Sequence, residues 1–255
     1  MNKDQYPIAD DNFLRELLLT SEDVSRCLGS LSKLARHLAA PVVLTGSIAA
    51  GWHLLNNGRQ PVKKRLNDID TVALRGLSGI GPALSRNFLI NHFHPDRGRG
   101  RVLLQLVDEE HRTRVEVFTP GSDSLAERLT ATNIAGLPCR LVSAEDLLAK
   151  LLSIIYSVIE GEAIDPKYVE QFDSLSAVAE IDVARRLWAD YRKESQRSDF
   201  DEAVRLVKSG IASGPDLLRA ISYCQDVNFL CAWCHESESF PVASRSKVHE
   251  ILGYV

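Results

Sequence analysis

Asp68-Ile69-Asp70 holds the first residues whose type and spacing suit chemistry. On a strand, residues two apart project from one face, so both carboxylates point together and Ile69 points away. Crowded carboxylates repel, and holding them close costs free energy unless a cation sits between them. Mg²⁺ is the natural choice, since it takes hard oxygen ligands and bridges carboxylates to substrate phosphates. Glu116, in Arg114-Val115-Glu116-Val117-Phe118, offers a third acid. Val115 and Val117 share one face and leave Glu116 on the other. If that strand lies beside the Asp68 strand, all three acids converge. Taken alone, Asp-x-Asp is also a common solvated pair on a half-exposed strand.

Gly46-Ser47 offers the complementary chemistry. It follows a short apolar run and opens a helix, where backbone N–H groups point at an incoming anion and glycine permits close approach of a phosphate. The same pair also reads as an ordinary strand-to-helix turn with Ser47 as N-cap. Lys150 interrupts the apolar run from Leu147 to Ile155, an odd place for a lysine. It either serves a cleft or snorkels to water from the helix edge. Arg65, closing the basic run Lys63-Lys64-Arg65 ahead of Asp68, is either charge for a phosphate or acceptor or a solvated loop residue.

The elements that must position these groups follow from periodicity. Spacings of three and four predict helices over Phe13 to Leu18 and Val24 to Ala35, the second opening at Ser21 with acids in its first turn. Strands are expected over Pro41 to Thr45, Asp68 to Leu74, Arg101 to Val107, Thr113 to Phe118 and Cys139 to Val142. A helix fits Ile48 to Leu55, stopped by Asn56-Asn57-Gly58. Another fits Pro82 to Leu89. Asp108 to Arg112 reads as a polar hairpin loop, and His92 to Arg101 as a basic, turn-rich surface loop. Ser143 opens a long apolar helix to about Glu160. Beyond it the pattern is helical throughout, near 166–178, 181–195, 199–208, 215–235 and 245–252. The expected fold class is therefore α+β: a mixed sheet flanked by helices over residues 1–142, then an all-helical domain over 143–255.

Bulk properties set the limits. The 255 residues are ample for a buried core, and 45% hydrophobic with 25% charged residues is ordinary for a soluble globular chain. A net charge of −4 argues against generic polyanion binding. The amino-terminal residues lack the pattern of a secretory signal, and no apolar stretch is long enough to span a membrane. Five scattered cysteines suggest reduced thiols and a cytoplasmic protein. Cys231-Ala232-Trp233-Cys234-His235 has the spacing of haem attachment. Cys224, Cys231 and Cys234 also continue an apolar helical stripe and read better as small buried hydrophobes, so no haem is expected.

The order of the parts resembles the polymerase-beta-like nucleotidyltransferase superfamily. The matching text is Leu44-Thr45-Gly46-Ser47, then Asn67-Asp68-Ile69-Asp70, then Val115-Glu116-Val117. The third acid is Glu where the family more usually has Asp. Leu141 to Leu151 is similar to the helix that follows the catalytic sheet in bacterial members, including nucleotidyltransferase toxins of toxin–antitoxin systems. The resemblance implies that Gly46 and Ser47 hold a nucleoside triphosphate, and that Asp68 and Asp70 bind two divalent metals, Mg²⁺ or Mn²⁺. It implies that Glu116 completes the metal site and helps activate the acceptor hydroxyl, and that Lys150 meets the phosphates. The implied activity moves a nucleoside monophosphate to a hydroxyl on a small molecule, a protein or tRNA, releasing pyrophosphate. An antitoxin partner is part of the toxin pattern. The alternative within the same fold is a catalytically silent nucleotide-binding or regulatory module.

Overall fold

The computed structural model describes residues 12–94, 98–221 and 243–253. Their contacts group into two units, residues 12–142 with 243–253, and residues 143–221. The first unit begins with α1 (Asn12–Leu17) and α2 (Ser21–Ala35). Thr20 caps α2 by accepting from the Asp23 N–H at 3.0 Å, and Glu22 and Asp23 sit in its first turn. Val24, Cys27, Leu31 and Leu34, spaced by three and four, form its buried face. β1 (Val42–Leu44) is buried throughout and runs into α3 (Gly46–Asn56). No acidic or basic side chain with a fixed charge lies in α3, and it is buried continuously from Ile48 to Leu54.

The remaining strands are β2 (Asp68–Val72), β3 (Leu89–Phe93), β4 (Val102–Asp108), β5 (Thr113–Phe118), β6 (Thr130–Ile134) and β7 (Leu137–Leu141). Together they form one seven-stranded sheet in the order β3-β4-β5-β2-β1-β7-β6. β2 runs parallel to β5, β1 runs parallel to β7, and the other pairs are antiparallel. β4 is buried on both faces (Leu103, Leu104, Leu106, Val107), as an interior strand requires.

Two strands were not expected from the sequence. β3 carries Asn91 and His92 at its centre, which hides it from a search for apolar runs, yet both are buried. The helix expected over Pro82 to Leu89 is instead a 3₁₀ stretch, Pro82–Arg86, that delivers the chain to β3. β6 is polar (Thr130, Thr132, Asn133) because it is an edge strand and only Ile134 is buried.

In the second unit α4 (Ala144–Ile155) starts where Ser143 accepts from the Asp146 N–H at 3.1 Å. Ser143 Oγ also donates to Asp146 Oδ2 at 2.6 Å, and Tyr191 OH donates to Oδ1 at 2.8 Å. These bonds explain a wholly buried aspartate in a first turn. The long helix expected to run to Glu160 ends at Ile155, and a 3₁₀ stretch, Tyr156–Glu160, continues to Gly161 in the left-handed region. α5 (Pro166–Ser176), α6 (Ile181–Tyr191) and α7 (Phe200–Ser213) complete the unit. Its core is built from Leu148, Leu152, Leu175, Ala184, Trp188 and Ala203.

The helix expected from 215 onward is absent up to 221: Pro215–Leu217 is a short 3₁₀ piece, and Leu218 bridges to Ile164. Cys224, Cys231, Cys234 and His235 lie outside the described residues. α8 (Arg245–Leu252) belongs with the sheet, whereas the sequence suggested a helical domain continuing to 255. Val248 buries against Val107, Ala243 N donates to Ile90 O at 2.7 Å, and Arg112 Nε donates to Ile251 O at 3.0 Å. No described helix is long and apolar enough to cross a membrane.

Candidate active site

β2 holds Asp68 and Asp70 half-buried on one face, with Ile69 wholly buried on the other. β5 lies directly beside it in parallel register, pairing Asp68 with Arg114 and Asp70 with Glu116. Val115 and Val117 fill the opposite face of β5 and are buried. Neighbouring strands stand about 4.8 Å apart, so the Asp70 and Glu116 side chains rise side by side. The structure therefore places Asp68, Asp70 and Glu116 on one face of the sheet.

Gly46 completes this corner. Thr45 N donates to Asp70 O at 2.9 Å, which fixes the start of α3 against β2. Gly46 has φ +59, and a Cβ built there would fall 1.9 Å from Asp70 Oδ2. Only glycine fits this backbone conformation and this approach. Thr45, not Ser47, is the N-cap residue, and its side chain makes no capping hydrogen bond. Ser47 is half-exposed in the first turn of α3. The Asp70 carboxylate thus lies against a helix N-terminus, where the backbone favours negative charge.

Arg114 is the principal residue that the sequence reading passed over. It is 2% exposed. Its Nη2 donates to Asp68 Oδ2 at 2.8 Å, and its Nε lies 3.5 Å from Glu116 Oε1. The alternation Arg114-Val115-Glu116 was the available signal, since it puts a cation on the same face as the acids. Gln105 on β4 was missed too: its Nε2 donates to Glu116 Oε1 at 3.0 Å.

Arg65 is exposed in the segment leading to β2. Lys150 is half-buried on α4, in the second unit.

These donors suit a hard divalent cation: they are carboxylates, they share a face, and they border a turn of backbone N–H groups. Among the described residues, the group of three ligands gathered within 4.8 Å is a different one, Asp108, Glu110 and His111. The Arg114 guanidinium spans Asp68 and Glu116.

The Asp108 group could hold a metal by its ligand types, but it already contains a cation. Lys33 Nζ donates to Asp108 Oδ1 at 2.6 Å and to Glu110 Oε2 at 3.3 Å. Ser30 Oγ donates to Asp108 Oδ2 at 2.9 Å, and His111 Nδ1 lies 2.8 Å from that oxygen. Burial alone would raise the Asp108 carboxyl, yet the bonds from Lys33, His111 and Ser30 outweigh it and hold it below the usual range. His111 also packs so tightly on α2 that a Cβ on Gly29 would meet its ring at 2.1 Å. The cluster pins the β4–β5 hairpin to α2.

The buried thiols Cys27 and Cys139 are free, and burial pushes each up to about 12, which makes them poor nucleophiles.

No protein-family model matches the chain, and no curated protein matches it. Among solved structures it is similar to an antigenic nucleotidyltransferase-like protein from Paracoccidioides brasiliensis. Identity is 15%, the TM-score is 0.40, and the match covers 86% of this chain and 99% of that one.

Proposed function

We propose that the chain is a metal-dependent nucleotidyltransferase. The observation that carries this reading is the corner where Asp70 meets both Gly46 and Glu116: acids for a cation beside a turn for a phosphate. Asp68 and Asp70 would hold Mg²⁺ or Mn²⁺, and Glu116 would complete the set. A bound cation supplies charge neutralisation at the phosphates and lowers the barrier to in-line displacement.

The chain's own residues do the rest. The Gly46–Ser47 turn offers backbone N–H groups and a hydroxyl to a triphosphate. The acceptor hydroxyl oxygen forms a bond to the α-phosphorus as the bond from that phosphorus to pyrophosphate breaks. Glu116 receives the hydroxyl proton. Lys150 is assigned to the phosphates on the strength of the resemblance, and Arg65 on its charge and its place ahead of Asp68. The acceptor would be a small molecule, a protein or tRNA, with ATP a natural donor, an antitoxin as partner and the cytoplasm as the setting of a bacterial enzyme.

Incubation with each α-³²P-labelled nucleoside triphosphate, Mg²⁺ and a cell extract tests this. Label should pass to one acceptor class, and Asp68→Ala and Asp70→Ala should abolish transfer. Transfer that survives both substitutions would sink the assignment.

A second reading is a nucleotide-binding or regulatory module without turnover. Arg114 favours it, because a guanidinium already compensates Asp68 and Glu116. Magnesium-dependent nucleotide binding with no transfer to any acceptor would select that reading.

A further inference from the structure

We infer that Asn91 and Gln105 form an amide relay that sets the orientation of the Glu116 carboxylate; this rests on the reading of Glu116 as part of a cation site. In the β3–β4 ladder Ile90 pairs with Leu106 and His92 pairs with Gln105, so Asn91 is the extra residue of a β-bulge. Bulges re-aim side chains and cluster beside functional sites. Here the bulge turns Asn91 onto Gln105: Asn91 Nδ2 donates to Gln105 Oε1 at 2.8 Å. Gln105 sits opposite Glu116 in the β4–β5 ladder and donates from Nε2 to Glu116 Oε1 at 3.0 Å.

The order of donors matters. A glutamine amide can turn end for end, offering either an acceptor or a donor to its neighbour. Asn91 donates to the Gln105 oxygen, which fixes that oxygen toward β3 and the NH₂ toward Glu116. Asn91 and Gln105 are each 7% exposed, so water is largely excluded from both bonds. With Gln105 and Arg114 both directed at Oε1, the carboxylate cannot rotate freely. Outer-shell partners of this kind tune metal affinity by orienting ligands. Neither residue touches the acids of β2 in this scheme; both act through Glu116 as positioning residues.

Mn²⁺ binding to the full-length protein, read from the EPR signal of the free ion, tests the relay, with thermal unfolding measured on the same samples. Gln105→Leu should weaken Mn²⁺ binding by about tenfold or more. Asn91→Leu should weaken it less, because Gln105 remains but is free to turn. Gln105→His, which keeps an N–H donor near the same place, should recover part of the loss. Unchanged Mn²⁺ affinity in both leucine variants would overturn the relay, as would a loss that Gln105→His does not relieve. Failure of the wild-type protein to bind Mn²⁺ would instead overturn the cation site on which the relay depends.

Discussion

Arg114 and Asp68 form a buried ion pair across parallel strands, Nη2 to Oδ2 at 2.8 Å, with Arg114 2% exposed. Breaking such a pair from one side leaves the other charge poorly compensated and costs about 3–5 kcal/mol. Asp68 is a fifth exposed, so the lower end applies. Arg114→Met should therefore destabilise the protein by about 3 kcal/mol in urea unfolding with EDTA present. Mg²⁺ should restore part of that loss in the variant and change the wild type much less, because the cation takes over compensation of the acids. A variant as stable as wild type in EDTA would show that the pair does no structural work.

Gly46 bears on the same corner. Gly46→Ala places a methyl group where Asp70 Oδ2 lies and forces a left-handed φ on an alanine. The backbone conformation alone costs about 1–2 kcal/mol, and the displaced carboxylate adds to it. Thermal unfolding should fall, and Mn²⁺ affinity should fall with it. Retention of full Mn²⁺ affinity would mean that Asp70 does not need its place against α3.

The Asp108–Lys33 pair gives a pH dependence. Despite burial, the bonds from Lys33, His111 and Ser30 hold the Asp108 carboxyl below its unfolded value. Its contribution to stability is therefore present above the unfolded pKa of about 3.9. It is lost as pH falls from there through the lower folded value. Burial would lower Lys33, but hydrogen bonds to Asp108 and Glu110 raise it overall. Its contribution is present below about 10.4 and lost as pH rises through the folded value. Urea unfolding across pH should thus fall at both ends, and Asp108→Asn should flatten both limbs while lowering the plateau. An Asp108→Asn protein with the wild-type acid limb would contradict this.

The legible parts of the molecule were those fixed by local pattern. Asp68 and Asp70 alternate with Ile69, so their shared face follows from the strand period alone. The starts of α2 and α4 are marked by Thr20-Ser21-Glu22-Asp23 and Ser143-Ala144-Glu145-Asp146, where the cap hydroxyl accepts a first-turn N–H and donates to the aspartate that follows. The parallel pairing of β2 with β5, which brings Glu116 beside Asp70, is a long-range choice that no local spacing encodes. β3 was hidden for a related reason. Asn91 and His92 look like loop residues until the bulge and the Gln105 partner show why polar groups are buried there. Arg114 was passed over because its compensation by Asp68 spans 46 positions. α8 carries only one fully buried residue, Val248, so its docking on the sheet leaves little trace in its own sequence.

In the proposed site Asp70, set between Gly46 and Glu116, holds a cation for a triphosphate. Calorimetric titration with a non-hydrolysable nucleoside triphosphate, with Mg²⁺ and with EDTA, addresses it most directly in wild type and Asp70→Asn. Binding should require Mg²⁺ in the wild type and be lost in Asp70→Asn while the fold persists. Binding that is indifferent to Mg²⁺ or equally strong in Asp70→Asn would contradict it.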